Sequence, residues 1–263
     1  MSLPNLSNWD NTRTALHQAM QPLRAARLLG SPPLPNYLHH SAFPTPTGAT
    51  TGPLSFGGAL HLDYTRAAII YENAGSDVFV VELSGHNQTS LFDAVFAAFA
   101  SAGHNFTPNR SEVKHTTPFD LNREQVAAYA DVQFRMFLTL ARLKAQMYGP
   151  QSPIALWPHG FDLSTLWFVD GMDEHKDPHI NFGFSPGTPD VGQPYLYVYA
   201  WPLPAGLSDQ IKPPFQWHTA WSTPGAVLTY DRLVNESDPE TFAVDLLVDI
   251  YHHAADLLKS SVG

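Results

Sequence analysis

Apolar positions at helical spacing open the chain: Trp9, Thr12, Leu16, Met20 and Leu23 fall on one face. They predict a first helix capped near Ser7 or Asn8 and ended by Gly30 and the Pro32-Pro33 pair. Residues 31–57 lose all periodicity and are rich in Pro, Gly, Ser and Thr. They read as an extended arm, either a functional loop or a segment laid across the fold. A period of two follows, with Leu60, Leu62 and Tyr64 alternating against His61, Asp63 and Thr65. Ala68–Tyr71 and Val78–Leu83 are also strand-like, and the Asn73–Asp77 stretch between them has turn chemistry, so a three-stranded meander is expected. A helix is predicted over about 90–102, stopped by Gly103.

The longest helical pattern covers about 122–148. Val126, Ala130, Phe134, Phe137, Ala141 and Ala145 share a face, and Gly149-Pro150 stops it. The last helix has Asp238 as cap and Pro239 at its first position, with Ala243, Leu246, Leu247, Ile250, Ala254, Leu257 and Leu258 as its buried stripe. Between these two helices lie strand candidates at 154–157, 164–169, 180–184, 195–201 and 226–230. Four main helices and antiparallel strands are thus partly segregated, which predicts an α+β fold rather than a doubly wound one. No linker interrupts the pattern. Residues 1–263 are treated as one domain, and a division into two lobes, about 1–150 and 151–263, stays open.

Composition narrows the function classes. The 14 Lys+Arg against 24 Asp+Glu give a formal charge of −10, which lacks the cationic footprint of a nucleic-acid binder. No apolar run approaches the ~18–20 residues that span a bilayer. No basic segment followed by an apolar one marks a secretory signal near Met1, so a cytoplasmic protein is the expectation. Cysteine is absent, which removes disulfides, thiolate metal sites and cysteine nucleophiles. At 44% hydrophobic and 12% aromatic, the chain has ample surface to bury. No sequence signal identifies a cofactor.

Three segments could carry chemistry. In Tyr195-Leu196-Tyr197-Val198-Tyr199-Ala200-Trp201, strand alternation puts Tyr195, Tyr197, Tyr199 and Trp201 on one face and the aliphatic residues on the other. Such a row suits the wall of a small-molecule site, and it equally suits a core beneath a helix. In Trp157-Pro158-His159-Gly160-Phe161-Asp162, proline and glycine break the strand, so His159 and Asp162 sit on irregular backbone. They could form an acid–base pair or hold a metal weakly, or simply tie down a bulge. The loop from Gly171 to His179 is acidic and histidine-rich, but Pro178 spoils helical spacing between His175 and His179, so a solvated loop is expected and no metal site is assigned. His179 itself stands at the mouth of the next strand. Beyond it, the turn from Ser185 to Asp190 could aim backbone N–H groups at an anion.

The segments Phe161-Asp162-Leu163, Gly183-Phe184-Ser185-Pro186-Gly187 and Tyr197-Val198-Tyr199, in that order, resemble a bacterial family catalogued as domain of unknown function 5996. Trp9, Thr12, Leu16-His17, the Thr50-Thr51-Gly52-Pro53 stretch, Ser152-Pro153, Pro202, Pro204 and the final helix around Tyr251 extend the likeness over most of the chain. Thr47, Ala155 and Leu203 depart from the usual arginine, histidine and glutamate, and Pro158-His159-Gly160 departs from the commoner Trp-Gly-Ser. The resemblance implies a soluble bacterial α+β protein and no particular reaction.

The leading expectation is a small-molecule binding protein, with Tyr195, Tyr197, Tyr199 and Trp201 as wall and His159, Asp162 and His179 as orienting groups. A hydrolase or lyase using Asp162 with His159 or His179, and a structural or interaction protein whose arm docks to a partner, are the alternatives.

Overall fold

The computed structural model describes residues 2–262, and the chain is α+β with two antiparallel sheets. Chain contacts divide it into two compact units. The first holds residues 4–134 and 155–161, and the second holds residues 2–3, 135–154 and 162–262. The division is not a single cut near residue 150: one boundary passes through a long helix between residues 134 and 135, and residues 155–161 return to the first unit.

The first unit opens with two helices where one was expected, α1 Asp10–Ala19 and α2 Gln21–Gly30. Pro22 is the cause: it has no N–H to donate to the preceding turn, yet it fits the first turn of a new helix. The arm then folds rather than remaining extended. A 3-10 turn over Pro35–His40 leads to β1 Phe43–Thr45 and β2 Gly48–Thr50, a hairpin that joins the meander β3 Ala59–Asp63, β4 Ala68–Asn73 and β5 Ser76–Glu82. The sheet order is β1-β2-β3-β4-β5.

Helix α3, Gln88–Ser101, begins two residues earlier than its apolar pattern suggested. Asn87 is the cap, and Ser90 closes a reciprocal capping box with it at 2.9 and 3.0 Å. Phe99 of this helix meets Tyr71, Phe79 and Phe56 at ring separations of 4.8–5.8 Å, which forms an aromatic core on the sheet. Helix α4, Arg123–Lys144, is shared by the two units, and in the first its Gln133 binds Tyr64 and the carbonyl of Gly48. Strand β6, Ala155–Trp157, returns to pair through Leu156 with Ala42.

The arm is gripped by a buried cation. Arg27, 5% exposed, donates Nε to the Ser41 carbonyl, Nη1 to that of Thr51 and Nη2 to that of Leu38, and its guanidinium lies 5.2 Å from the Phe43 ring. All three recorded acceptors are backbone, so the grip uses the fork geometry of the group rather than a counter-ion.

The second unit contains β7 Asp162–Phe168, β8 His179–Ser185, β9 Tyr195–Trp201, the short helix α5 Leu207–Gln210, β10 Gln216–His218, β11 Gly225–Thr229, the short helix α6 Tyr230–Leu233 and the terminal helix α7 Pro239–Val262. Its strands run β10-β11-β9-β8-β7. Strand β10 was not anticipated, being three residues long and preceded by Pro213-Pro214. The aliphatic face, with Ile180, Phe182, Phe184, Leu196, Val198 and Ala200 all buried, receives α7. Tyr251 of α7 meets Trp167 edge-on at 5.3 Å, and Trp167 pairs with Ile180, which fixes the side on which the helix lies.

Replacing Arg27 with methionine keeps the apolar stem and takes the donor from the buried Ser41 and Thr51 carbonyls, while that of Leu38 keeps the Ser41 hydroxyl at 2.9 Å. The expected loss is on the order of 3 kcal/mol in urea unfolding. A loss below about 1 kcal/mol would show that the arm is held by other contacts.

Candidate functional site

The strand register decides which side chains share a surface. Tyr195, Tyr197, Tyr199 and Trp201 of β9 stand opposite Ser185, Gly183, Asn181 and His179 of β8, and Asp162 and Ser164 of β7 continue the same face. The expected alternation is therefore realised: the aromatic residues line the face turned away from α7. Tyr195 and Tyr197 are buried, Tyr199 is half-buried and Trp201 is 38% exposed. Val191 and Trp221 pack over the Tyr195 end of the row, so that end is covered rather than open.

Every tyrosine hydroxyl has a partner. Tyr197 donates to Asp162 Oδ2 at 2.5 Å, Asn181 Nδ2 donates to the Tyr199 hydroxyl at 2.7 Å, and Tyr195 shares a 3.1 Å contact with Thr188. The first bond spans two strands, about 10 Å of sheet. It is possible because β8 carries glycine at the crossing point. A Cβ on Gly183 would lie 2.2 Å from Tyr197 Cζ and 2.6 Å from the Leu163 carbonyl. Burial, then the charge of Asp162, pushes the Tyr197 hydroxyl well above its ordinary range, so it stays protonated and acts as a donor.

Asn181 is the polar residue at the centre of the face. It is 7% exposed, and its Oδ1 has no hydrogen-bond partner among the described residues. Its neighbours along the strand pairing are Leu166 and Tyr199.

His179 is also on this face, 5% exposed, with Nδ1 donating to the Asp177 carbonyl at 2.9 Å and its ring stacked 5.7 Å from Trp201. Burial lowers its pKa, which favours the neutral ring. Asp162 and His179 mark opposite ends of the face, since Asp162 flanks Ser185 and His179 begins the same strand six residues earlier, roughly 20 Å away. They do not form an acid–base pair. His159 belongs to the first unit, where it is exposed beside Trp157. In that unit the break at Pro158 is tied by other residues: His17 Nε2 and Gln21 Nε2 both donate to the Pro158 carbonyl, at 3.0 and 3.1 Å.

A histidine–carboxylate hydrogen bond that was not foreseen lies in the second unit. Asp190 Oδ2 accepts from His218 Nε2 and Trp221 Nε1, each at 2.8 Å. Thr188 leads the effects that hold its carboxyl down at about 2, followed among the donors by Trp221 and His218. The turn from Ser185 to Asp190, expected to face an anion with its N–H groups, instead supplies one. Gly187 N donates inward to Ser185 Oγ. No sequence signal joins Asp190 to residues 28 and 31 positions away. Asn181, by contrast, was reachable by alternation once β8 and β9 were taken as neighbours.

The acidic loop is solvated as expected, organised by Asp173, which accepts from Lys176 and the His175 N–H. Among the described residues no group of three His, Asp or Glu could hold a metal ion. No helix among them is long and apolar enough to cross a membrane. A shallow cleft in the first unit, lined by Gln21, Arg24, Leu28, Phe92 and Glu112, involves none of the candidate residues.

The family of unknown function DUF5996 matches residues 2–261. The chain belongs to this family. No curated protein and no solved structure matches it. For this DUF5996 chain, the Gly183–Ser185 and Tyr197–Tyr199 segments that carried the resemblance are adjacent strands of one face, with Gly183 paired to Tyr197.

Gly183→Ala is expected to destabilise the protein by about 1–3 kcal/mol through forced repacking, and to expose Tyr197 to solvent perturbation in difference absorbance. An unchanged unfolding curve would contradict the crossing geometry. Asp190 gives a pH signature. Its folded pKa lies below the unfolded value, so its contribution is present above about pH 4 and is lost as pH falls toward 2. Asp190→Asn should flatten the acid limb of stability in that window, and an identical limb in both proteins would show that the His218 and Trp221 hydrogen bonds to Asp190 contribute nothing there.

Proposed function

We propose that this protein binds a small molecule on the tyrosine face. One observation carries the reading: the unpartnered Oδ1 of Asn181, 93% shielded at the middle of an aromatic row whose hydroxyls are all engaged. A buried amide oxygen without a donor disfavours the folded state by about 1–3 kcal/mol. An apolar residue of similar size would avoid that at this position. A ligand N–H or O–H supplies the missing donor, and the Tyr199 and Trp201 rings offer it a flat apolar surface. The opposite face of the sheet already satisfies the core, so the aromatic row is not needed to seat α7. No observation favours the acid–base alternative through Asp162, whose recorded side-chain donor is the strongly protonated Tyr197.

Asn181→Leu separates the two roles of the residue. In the unliganded protein it should change stability by no more than about 1 kcal/mol, since removal of the orphaned oxygen offsets the loss of the donor to the Tyr199 hydroxyl. A thermal-shift panel of small polar and ring-bearing compounds should contain members that stabilise the native protein. A compound at 100 times its Kd contributes about 2.7 kcal/mol, or on the order of 5–10 °C in Tm. The same compounds should fail to shift Asn181→Leu. A panel without hits, or hits indifferent to this substitution, overturns the proposal.

A further inference from the structure

We infer that the ligand is an organic cation, a primary ammonium or amidinium group on a compact apolar or ring-bearing body; this rests on the ligand-binding reading above. The side chains that alternate onto the face from β7, β8, β9, β10 and β11 include no Lys or Arg. The charged groups that act on the tyrosine row are carboxylates: Asp162 on Tyr195, Tyr197 and Tyr199, Glu174 on Tyr199, and Asp190 on Tyr195. Of the two histidines on the face, burial lowers the pKa of His179 and so disfavours its charged form, and His218 is engaged by Asp190. Lys176 of the acidic loop is held by Asp173 at 2.9 Å.

The geometry supplies three complementary elements. The unpartnered Asn181 oxygen is an acceptor, and an ammonium N–H meets it as a donor. The Tyr199 ring lies beside it, with Tyr197 stacked at 6.2 Å and Trp201 at the rim, and aromatic faces attract cations most strongly where water is partly excluded. Asp162, bound to Tyr197, polarises the row in the same sense. A neutral ligand of the same shape would gain the ring contacts without the charge attraction, and an anion would meet the two carboxylates that act on Tyr199, Asp162 and Glu174. The opposite amide rotamer of Asn181 would present an N–H and select an acceptor, so a carboxylate probe belongs in the test.

Benzylammonium, benzyl alcohol and benzoate share a body and differ in charge. Saturation-transfer NMR titration of the full-length protein is expected to rank benzylammonium at least about tenfold tighter than benzyl alcohol, with benzoate weakest. Asn181→Leu removes the acceptor both donors use, so it should weaken both probes and benzylammonium the more, by about tenfold or greater. Asp162→Asn, which preserves shape and a hydrogen-bonding partner for Tyr197, should also narrow the gap between the two probes. Equal binding of benzylammonium and benzyl alcohol that Asn181→Leu abolishes overturns the cation and leaves the binding face standing. Preference for benzoate overturns it in favour of an anionic ligand. Binding insensitive to both substitutions, or no binding by any probe, also overturns it, and the compound panel then decides whether the face binds anything.

Discussion

A phenol on β9 can reach a carboxylate on β7 only by crossing β8, and Tyr197 crosses it at Gly183. Everything on the tyrosine face is arranged around that crossing. The ring occupies the volume that any other residue at 183 would fill, and its hydroxyl arrives at Asp162 with no slack. Tyr199 then lies parallel to Tyr197, within 7° in ring plane, and leaves its own hydroxyl to Asn181. On the far side, Gly225 of β11 plays a similar part: a Cβ there would lie 3.0 Å from Tyr199 Cβ and 2.5 Å from the Val198 carbonyl. Two missing side chains thus set the tilt of the row.

Much of the architecture was legible because it rests on periodicity. The meander, the long helix and the two faces of β9 follow from the spacing of apolar residues, and the Asp238-Pro239 start of the last helix follows from capping chemistry. The failures have local causes. Pro22 splits a pattern that looked continuous, because its ring removes one hydrogen bond without disturbing the apolar stripe. The arm looked irregular because its two strands are three residues long and carry Pro44 and Gly48, too short for alternation to register. Of the candidate residues, the β9 row and Asp162 fall together on one surface, with His179 at its far end, while His159 is accounted for in the other unit. Asn181 and the Asp190–His218–Trp221 cluster depend on which strands are neighbours and how loops fold back, and a single chain's local pattern does not encode that.

The two polar clusters of the second unit differ in kind. Asp190 is saturated with donors, and its carboxyl is correspondingly acidic; it draws the turn after β8 toward the segment before β11 and so places Val191 and Trp221 over Tyr195 and Tyr197. Asn181 is under-supplied. Saturated groups hold a loop in one arrangement, whereas an under-supplied buried group is a local disadvantage that persists where something else compensates. The covered end of the row belongs to the first kind and the Tyr199–Trp201 end to the second.

Arg27 has a consequence for how this fold can drift in sequence. Its three recorded hydrogen-bond acceptors are main-chain oxygens, which every amino acid at positions 38, 41 and 51 would present. The hydrogen bonds of the grip are therefore indifferent to those side chains and demanding only of the guanidinium and of the path the backbone takes, and Phe43 is the arm side chain whose ring lies against it. Substitutions could accumulate along the arm with no matching change at position 27, so correlated mutation would leave no trace of the clamp that holds it.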